Sequence, residues 1–145
     1  MKPVTFDSII VDPEYRKLLV EESIIGILLV DLDGSIMDAS LEFQSMSGYT
    51  KAELKKMTFQ QITHPDDMLA SMEVVNAMIE GRVCRVEFLK RYINKAGVPF
   101  WARVVSRLKR DDQGKPFHFV TFAMLVENQK LEELKLLWKH QEGKP

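Results

Sequence analysis

Several features that mark specialised protein classes are scarce or missing in this sequence. Its single cysteine, Cys84, excludes an internal disulfide bond and a multi-cysteine metal site, in agreement with a reducing compartment. The 20 basic and 21 acidic residues leave a net charge of −1, with no broad attraction for nucleic acid or an anionic membrane. No apolar run approaches the roughly 20 residues that span a bilayer. We therefore expect a cytoplasmic protein with no nucleic-acid partner and no membrane insertion.

The apolar residues that are present, 46% of the chain, suffice for the core of one domain. Near the N-terminus, Asp12 can cap a helix in which Pro13 takes the first position. The apolar run 26–33 is short for a helix, and the Asp33-Gly34 pair that follows favours a tight turn. The sequence therefore predicts a helix followed by a β-hairpin.

The segment 41–62 breaks into pieces of one or two helical turns. Gly48 can end one helix and Thr50 can start the next, so the segment predicts short helices packed side by side. Pro65 suits the first turn of a longer helix that runs to about Glu80. The apolar stripe of that helix consists of Met68, Met72, Val75 and Met78 or Ile79.

Three strands are predicted in the C-terminal half, at 83–93, 100–108 and 117–126. The apolar face of the first strand is formed by Val86, Phe88 and Tyr92. The segment 128–140 then predicts an amphipathic helix. The resulting fold class is α+β: a five-stranded antiparallel sheet with short helices and one longer helix on one face, and flanking helices at both ends.

Four local motifs occur in a fixed order along the chain. They are GYTKAEL at 48–54, THPDD at 63–67, KAGVPFW at 95–101 and RDDQGKP at 110–116. The first two start or join short helices, and the last two form hairpin turns. Each motif alone is weak, but their joint order resembles a PAS domain over residues 24–127.

The resemblance implies a non-enzymatic module for sensing and signal transduction, flanked by an N-terminal segment (1–23) and a C-terminal amphipathic helix and tail (128–145). Such a module binds a small ligand or a partner protein, and dimerises. No kinase, cyclase or DNA-binding segment follows Pro145, so we expect the output in a signalling partner protein or in a covalently linked domain of a longer chain.

Two positions depart from the family pattern. Many PAS domains end their last strand with Asp-Ile-Thr, which ties the sheet to an output helix, whereas this chain has Leu125, Val126 and Glu127. Many also carry an asparagine after the second strand, where Asp38 and Ala39 stand here. Neither polar contact can be transferred to this chain.

Catalytic and metal sites are not indicated. The carboxylates of Asp66 and Asp67 are adjacent on a helix and point in different directions, so helix-start electrostatics explains them better than acid-base catalysis. His64, His118 and His140 are isolated from one another and from other ligands at metal spacing. We predict no catalytic residue, no metal ligand and no enzymatic activity.

Cofactor signatures of the family are also missing. Flavin photoreceptors place a cysteine within the short helices, where this chain has 58–61, whereas Cys84 begins a strand and is interpreted as a small buried or strand-edge thiol. Haem-binding members use a histidine inside the long helix, and none lies between Asp66 and Glu80. No cofactor is predicted, and noncovalent binding of flavin or haem is the alternative function.

A methionine-rich set surrounds the central cavity expected for this fold. The candidate lining residues are Phe43, Met46, Met57, Phe59, Ile62, Met72, Val75, Met78, Phe122 and Met124. A soft, polarizable lining could accept a small apolar or aromatic ligand. The same residues could instead make an ordinary closed core. The sequence leaves both interpretations open.

A second surface is a candidate interface. Trp101, Arg103 and Val105 share one face of a strand, and this mixture is typical of surfaces where proteins meet. The N-terminal helix could cover the same face within the monomer or across a dimer. We predict a homodimer whose C-terminal helix transmits the signal. The candidate interface residues are Tyr15, Leu18, Leu19, Trp101, Arg103, Val105, Leu131, Leu134 and Trp138.

Overall fold

The computed structural model describes residues 4–127 and residue 136. The helices are α1 (Phe6–Val11), α2 (Pro13–Glu21), α3 (Leu41–Ser47), α4 (Lys51–Leu54) and α5 (Pro65–Ile79), with a 3-10 helix at Gln60–Ile62. The strands are β1 (Gly26–Asp31), β2 (Ile36–Ala39), β3 (Arg85–Ile93), β4 (Pro99–Arg110) and β5 (Pro116–Leu125). The predicted α+β class with a five-stranded antiparallel sheet is confirmed.

The sheet has the strand order β2-β1-β5-β4-β3, and every neighbouring pair is antiparallel. The last strand, β5, therefore lies in the centre between β1 and β4. The short turns predicted at 33–34, 95–97 and 110–114 join β1 to β2, β3 to β4 and β4 to β5. Each contains a glycine with positive φ. Only the crossover from β2 to β3, which carries α3, α4 and α5, is long.

One face of the sheet forms the core against these helices. Leu28, Val30, Val104, Phe119 and Ala123 are all less than 5% exposed and alternate along their strands with outward residues. The rings of Phe43 on α3 and Tyr92 on β3 meet edge to face, with centroids 5.5 Å apart. We call this face the inner face and the opposite one the outer face.

The helix starts follow local capping chemistry. Asp12 and Thr50 accept backbone N–H groups at the starts of α2 and α4, and Thr50 forms a capping box with Glu53. The Nδ1 atom of His64 accepts from the backbone N–H of Asp66 at 3.1 Å, which makes His64 the N-cap of α5. The motifs at 48–54 and 63–67 thus act as helix starts, as predicted.

A cavity beneath α5 and an outer sheet face

A small cavity lies between α5 and the inner face of the sheet. Its volume is about 40 Å³ for a sphere the size of water. This is small beside the roughly 150 Å³ of an engineered cavity that binds benzene, so the space suits a ligand of only a few non-hydrogen atoms. Flavin and haem are far larger than this. Most of the wall is apolar, and the polar lining residues are Ser71, Lys90, Tyr92, Ser106 and Thr121.

Lys90 is the one charged residue of this lining. It is only 4% exposed because β3 turns it to the inner face, between Phe88 and Tyr92. Its Nζ atom lies 4.9 Å from the ring centroids of both Phe59 and Tyr92. Burial lowers the pKa of Lys90 to about 7, and the nearby charge of Asp67 opposes this shift. At neutral pH the amine is therefore poised between its two protonation states.

Asp67 is committed to a different partner, Arg91. Its carboxylate accepts from the backbone N–H of Arg91 at 2.7 Å and from the guanidinium Nε and Nη2 at 3.0 and 2.9 Å. Burial would raise the pKa of Asp67, but these hydrogen bonds and the charge of Arg91 lower it overall. This bridge ties the start of α5 to β3. Helix-start electrostatics alone, as predicted for Asp67, was therefore an incomplete explanation.

The far end of α5 is tied to the sheet as well. Arg110, the last residue of β4, donates from Nη2 to the carbonyl oxygens of Met78 and Ile79 at 2.9 and 3.3 Å. These carbonyls lie at the C-terminus of the helix, where a cation is favourable. The roof of the cavity is consequently fixed at both of its ends.

The hydroxyl groups of the cavity are only partly satisfied. Ser106 Oγ and Thr121 Oγ1 lie 2.6 Å apart across β4 and β5. Ser71 Oγ, on α5, is buried and has no hydrogen-bond partner among the described residues. Burial raises the pKa of the Tyr92 phenol, which therefore stays protonated and neutral. The cavity thus presents hydroxyl groups beside one amine.

The methionine-rich lining predicted from sequence is only partly correct. Phe59, Val75 and Met78 line the cavity. Phe43, Met46, Met57, Ile62 and Met72 pack in or against the surrounding core. Phe122 and Met124 were wrongly placed, because the alternation of β5 turns Phe119, Thr121 and Ala123 inward and puts these two residues on the outer face.

Lys90 and its neighbouring hydroxyl groups were missed at the sequence level. The signal was available, since strict alternation along β3 places Lys90 on the same face as Phe88 and Tyr92. A lysine at an inward position of a strand is rare, and such a residue therefore indicates a candidate functional site. Cys84, by contrast, is exposed and directly precedes β3, an edge strand, so of the two predicted alternatives the buried thiol was wrong.

The outer face carries the predicted group Trp101, Arg103 and Val105. In the sheet, Val105 pairs with Phe122, and Arg103 pairs with Met124. This places three apolar side chains next to one arginine. Ion pairs also lie on this face: Glu87 accepts from Arg103 and from Arg85, and its pKa is lowered mainly by the bond to Arg103.

Arg91 connects the cavity roof with the outer face. While its guanidinium holds Asp67, the same group stacks over the Trp101 ring at 4.7 Å. The carbonyl of Trp101 in turn accepts from the backbone N–H of Val126 at 3.0 Å, just beyond β5. A continuous set of contacts therefore runs from α5 to the end of the last strand.

Only the N-terminal half of the interface residues predicted on the terminal helices lies among the described residues. Tyr15, Leu18 and Leu19 on α2 are 44%, 46% and 57% exposed, so they are not buried against the sheet as the monomer alternative required. Leu131, Leu134 and Trp138 lie outside the described residues.

Neither a membrane span nor a metal cluster occurs among residues 4–127 and 136. No helix there is long and apolar enough to cross a bilayer. No group of three or more His, Cys, Asp or Glu side chains there is arranged to hold a metal ion.

Comparison with known proteins decides the family. The family model described as the PAS fold matches residues 36–123, which is more than half of the chain. This chain belongs to the PAS family.

The PAS domain is 33% identical over 101 residues to the probable diguanylate cyclase DgcE of Escherichia coli (strain K12), covering 70% of this chain. It is 27% identical over 86 residues to the sensor histidine kinase TmoS of Ectopseudomonas mendocina, covering 59% of this chain. Only 9% of each relative is covered, so the PAS domain matches a small part of these signalling proteins.

Solved structures agree with this fold. The PAS domain of a protein from Colwellia psychrerythraea superposes with a TM-score of 0.71 at 16% identity, covering 78% of this chain and 95% of that one. A light-oxygen-voltage domain studied with a flavin analogue superposes with a TM-score of 0.73 at 20% identity, covering 92% of this chain and 98% of that one. At these identities the likeness shows the fold alone.

Proposed function

We propose that this PAS domain is a non-enzymatic sensory module that binds a small ligand in the cavity beneath α5 and dimerises through the outer face. Its signal would pass to an output domain or partner protein through the C-terminal segment. The observation that carries this proposal is the cavity itself, whose buried amine and unpaired hydroxyl are costly to leave unsatisfied. Membership of the PAS family supports the sensory role.

The contacts around Arg91 support a route for the signal. Ligand entry would change the packing of α5, which Asp67 couples to Arg91. Arg91 stacks on Trp101, and the backbone of Trp101 holds Val126. A shift of α5 would therefore alter the outer face and the exit of the chain from β5 together. A ligand acts on such a module by its difference in affinity for the two arrangements.

The apolar share of the outer face supports dimerisation. Val105, Phe122 and Met124 lie together there, beside Trp101 and Arg103, and aromatic residues and arginine are enriched at protein interfaces. Met124 is 37% exposed in the monomer. In a homodimer the same patch would meet its own copy across a two-fold axis.

Analytical ultracentrifugation tests the dimer. We expect the wild-type protein to sediment as a dimer at micromolar concentration and the Val105→Glu variant as a monomer, because a carboxylate would be buried in the interface. Val98→Glu is the matched control, since Val98 is 54% exposed in the turn before β4. A monomeric wild-type protein at high micromolar concentration, or equal dimerisation of Val105→Glu, would contradict the proposed interface.

Noncovalent flavin or haem binding, the alternative function, is not supported by the cavity, because a volume of about 40 Å³ admits neither ring system. Native and denatured mass spectra recorded with an absorption scan separate the two functions. A cofactor mass that is lost on denaturation, together with visible absorption, would establish the alternative.

A further inference from the structure

The amine of Lys90 has no partner of opposite charge. Within the described part of the chain it forms neither a hydrogen bond nor an ion pair, and its contacts are the rings of Phe59 and Tyr92. A protonated amine in such surroundings has lost most of its hydration, and the two rings and the charge of Asp67 compensate this loss only in part. The fold nevertheless places a lysine here, on the wall of a cavity rather than in solid core.

The titratable and charged groups around Lys90 do not supply the missing charge. On α5, Asp67 is held by three hydrogen bonds to Arg91, and Asp66 has a side chain that is 72% exposed. On β3, the neighbouring Tyr92 is neutral. The inward residues of β4 and β5 along the cavity carry no charge, being Val104, Ser106, Phe119 and Thr121. A negative charge would have to come from a ligand.

Hydroxyl donors surround the same space. Ser71 lines the cavity and is only 3% exposed, and its Oγ atom has no hydrogen-bond partner among the described residues. In the pair of Ser106 and Thr121, one hydroxyl donates to the other, so the hydrogen of the acceptor is left for another partner. One cation and two hydroxyl donors suit the two oxygen atoms of a carboxylate.

The volume limits the ligand further. A cavity of about 40 Å³ admits a ligand of only a few non-hydrogen atoms. Formate has three such atoms and acetate has four. Val75, Met78 and Phe119 give the remaining wall an apolar character that suits a methyl group.

We propose that the cavity of this PAS domain binds a small monocarboxylate of the size of acetate, with its oxygens on Lys90 Nζ and the hydroxyl of Ser71. This inference rests on the proposed function, since it names the ligand class for the same cavity. The carboxylate would pair with the ammonium form of Lys90. Because the pKa of Lys90 is lowered to about 7 in the empty cavity, affinity should fall as the pH rises from 6 to 8.5.

The test is a titration of the ¹⁵N-labelled full chain with sodium acetate at constant ionic strength, followed by NMR. We expect saturable shifts of the amides around Ser71, Lys90 and Thr121, with affinity at least tenfold higher at pH 6 than at pH 8.5. Acetamide, which has nearly the same shape but no charge, should bind at least tenfold more weakly. Sodium chloride should not compete at equal concentration.

Three variants localise the binding. Lys90→Met should lose acetate binding by tenfold or more, and Ser71→Ala, which removes only one hydroxyl, should weaken it severalfold. Lys109→Met is the matched control, because Lys109 is an exposed lysine of β4 and should leave the affinity unchanged. The amide spectrum of each variant reports whether the fold is retained.

Several results would overturn the inference. Shifts that grow linearly with acetate in all variants would show that acetate does not bind in the cavity. Equal binding of acetamide would exclude a charged ligand, and equal binding of chloride would assign the site to a halide. If acetate fails to bind while the wild-type chain still dimerises through Val105, the ligand class is wrong and the proposed interface stands. If acetate binds but the wild-type chain is a monomer, the ligand class stands and the proposed interface is wrong.

Discussion

Among single residues, Lys90 is the charged member of the cavity lining and is buried. The residue is only 4% exposed, so its amine has lost most of the hydration that it has in the unfolded chain. The folded protein therefore binds this proton more weakly than the unfolded chain does. Such a difference makes the free energy of unfolding depend on pH.

We predict that Lys90 destabilises the fold below pH 10 and that the penalty is complete below pH 7. The pKa falls from 10.5 in the unfolded chain to about 7 in the folded protein. Between these values the unfolded chain holds more protons, so stability rises with pH by about 1.4 kcal/mol per unit. Urea denaturation at pH 7.0 and 9.5 should show this rise relative to Lys90→Met, which should itself be more stable at pH 7.

Lys109→Met again serves as the control in this experiment. Its difference from the wild-type protein should not change with pH, because Lys109 is exposed. A pH-independent difference between wild type and Lys90→Met would mean that Lys90 keeps its ordinary affinity for protons, and that the amine reaches solvent.

At the scale of secondary-structure elements, α5 is held to the sheet by charged contacts at both ends. Asp67 bonds Arg91 at the start of the helix, and Arg110 bonds the carbonyl of Met78 at its end. Between them, Ser71, Val75 and Met78 face the cavity instead of a fully packed core. The polar contacts thus hold the helix to the sheet on both sides of the cavity.

We predict that Asp67→Asn lowers the free energy of unfolding by about 2 kcal/mol, because it leaves the partly buried guanidinium of Arg91 without its counter-charge. Asp66→Asn is the matched control: this side chain is 72% exposed and lies 3.9 Å from Arg91, so its loss should cost less than about 0.5 kcal/mol. Chemical denaturation at pH 7 measures both. Equal effects would show that the general charge at the helix start matters, rather than the Asp67 bridge.

The Asp67 bridge should also fail in acid. Its pKa is lowered in the folded protein, so the bridge stabilises the fold above the ordinary carboxyl pKa of 3.8, and this contribution is lost as the pH falls through the lower folded value. Asp67→Asn should therefore lose less stability than the wild-type protein between pH 5 and 2.

At the scale of the whole molecule, sequence patterns predicted the architecture well because local signals agreed with one another. Turn residues, caps and alternation fixed the order of helices and strands. The inward face of β5 was harder to predict, because apolar residues occupy both the odd and the even positions around Phe122 and Met124. Apolar character alone therefore cannot show which face of this strand meets the core. Pairing with β1 and β4 settles this in the structure.

The contents of the cavity could be predicted only in part for a related reason. Phe59, Val75 and Met78 were found from their apolar character, but the polar members come from four different elements. The proximity of Ser71 on α5, Lys90 on β3, and the hydroxyl pair of Ser106 and Thr121 depends on the strand order, which local patterns do not encode. The bridge between Asp67 and Arg91, 24 residues apart, is of the same kind.

The N-terminal helix α2 buries little of its surface against the rest of the fold. None of the residues of α2 is buried, and Tyr15, Leu18 and Leu19 are about half exposed. The central strands β4 and β5, by contrast, are paired on both sides and packed against the core. Amides of an element with little buried apolar surface exchange through local opening, whereas those of core strands require global unfolding.

We predict that hydrogen exchange is fast in α2 and slow in β4 and β5 at low protein concentration, and that protection of α2 increases with concentration. The second part follows if the exposed face of α2 is covered in the homodimer, because each copy would supply apolar surface that the monomer leaves open. Mass spectrometry of peptides from the wild-type chain and from Val105→Glu measures both. In the variant, α2 should exchange quickly at every concentration.

Two results would contradict this prediction. Strong protection of α2 in dilute protein would show that the helix is stabilised within one chain. Concentration-independent exchange in the wild type would remove α2 from the dimer interface, while the outer face of the sheet would remain its proposed centre.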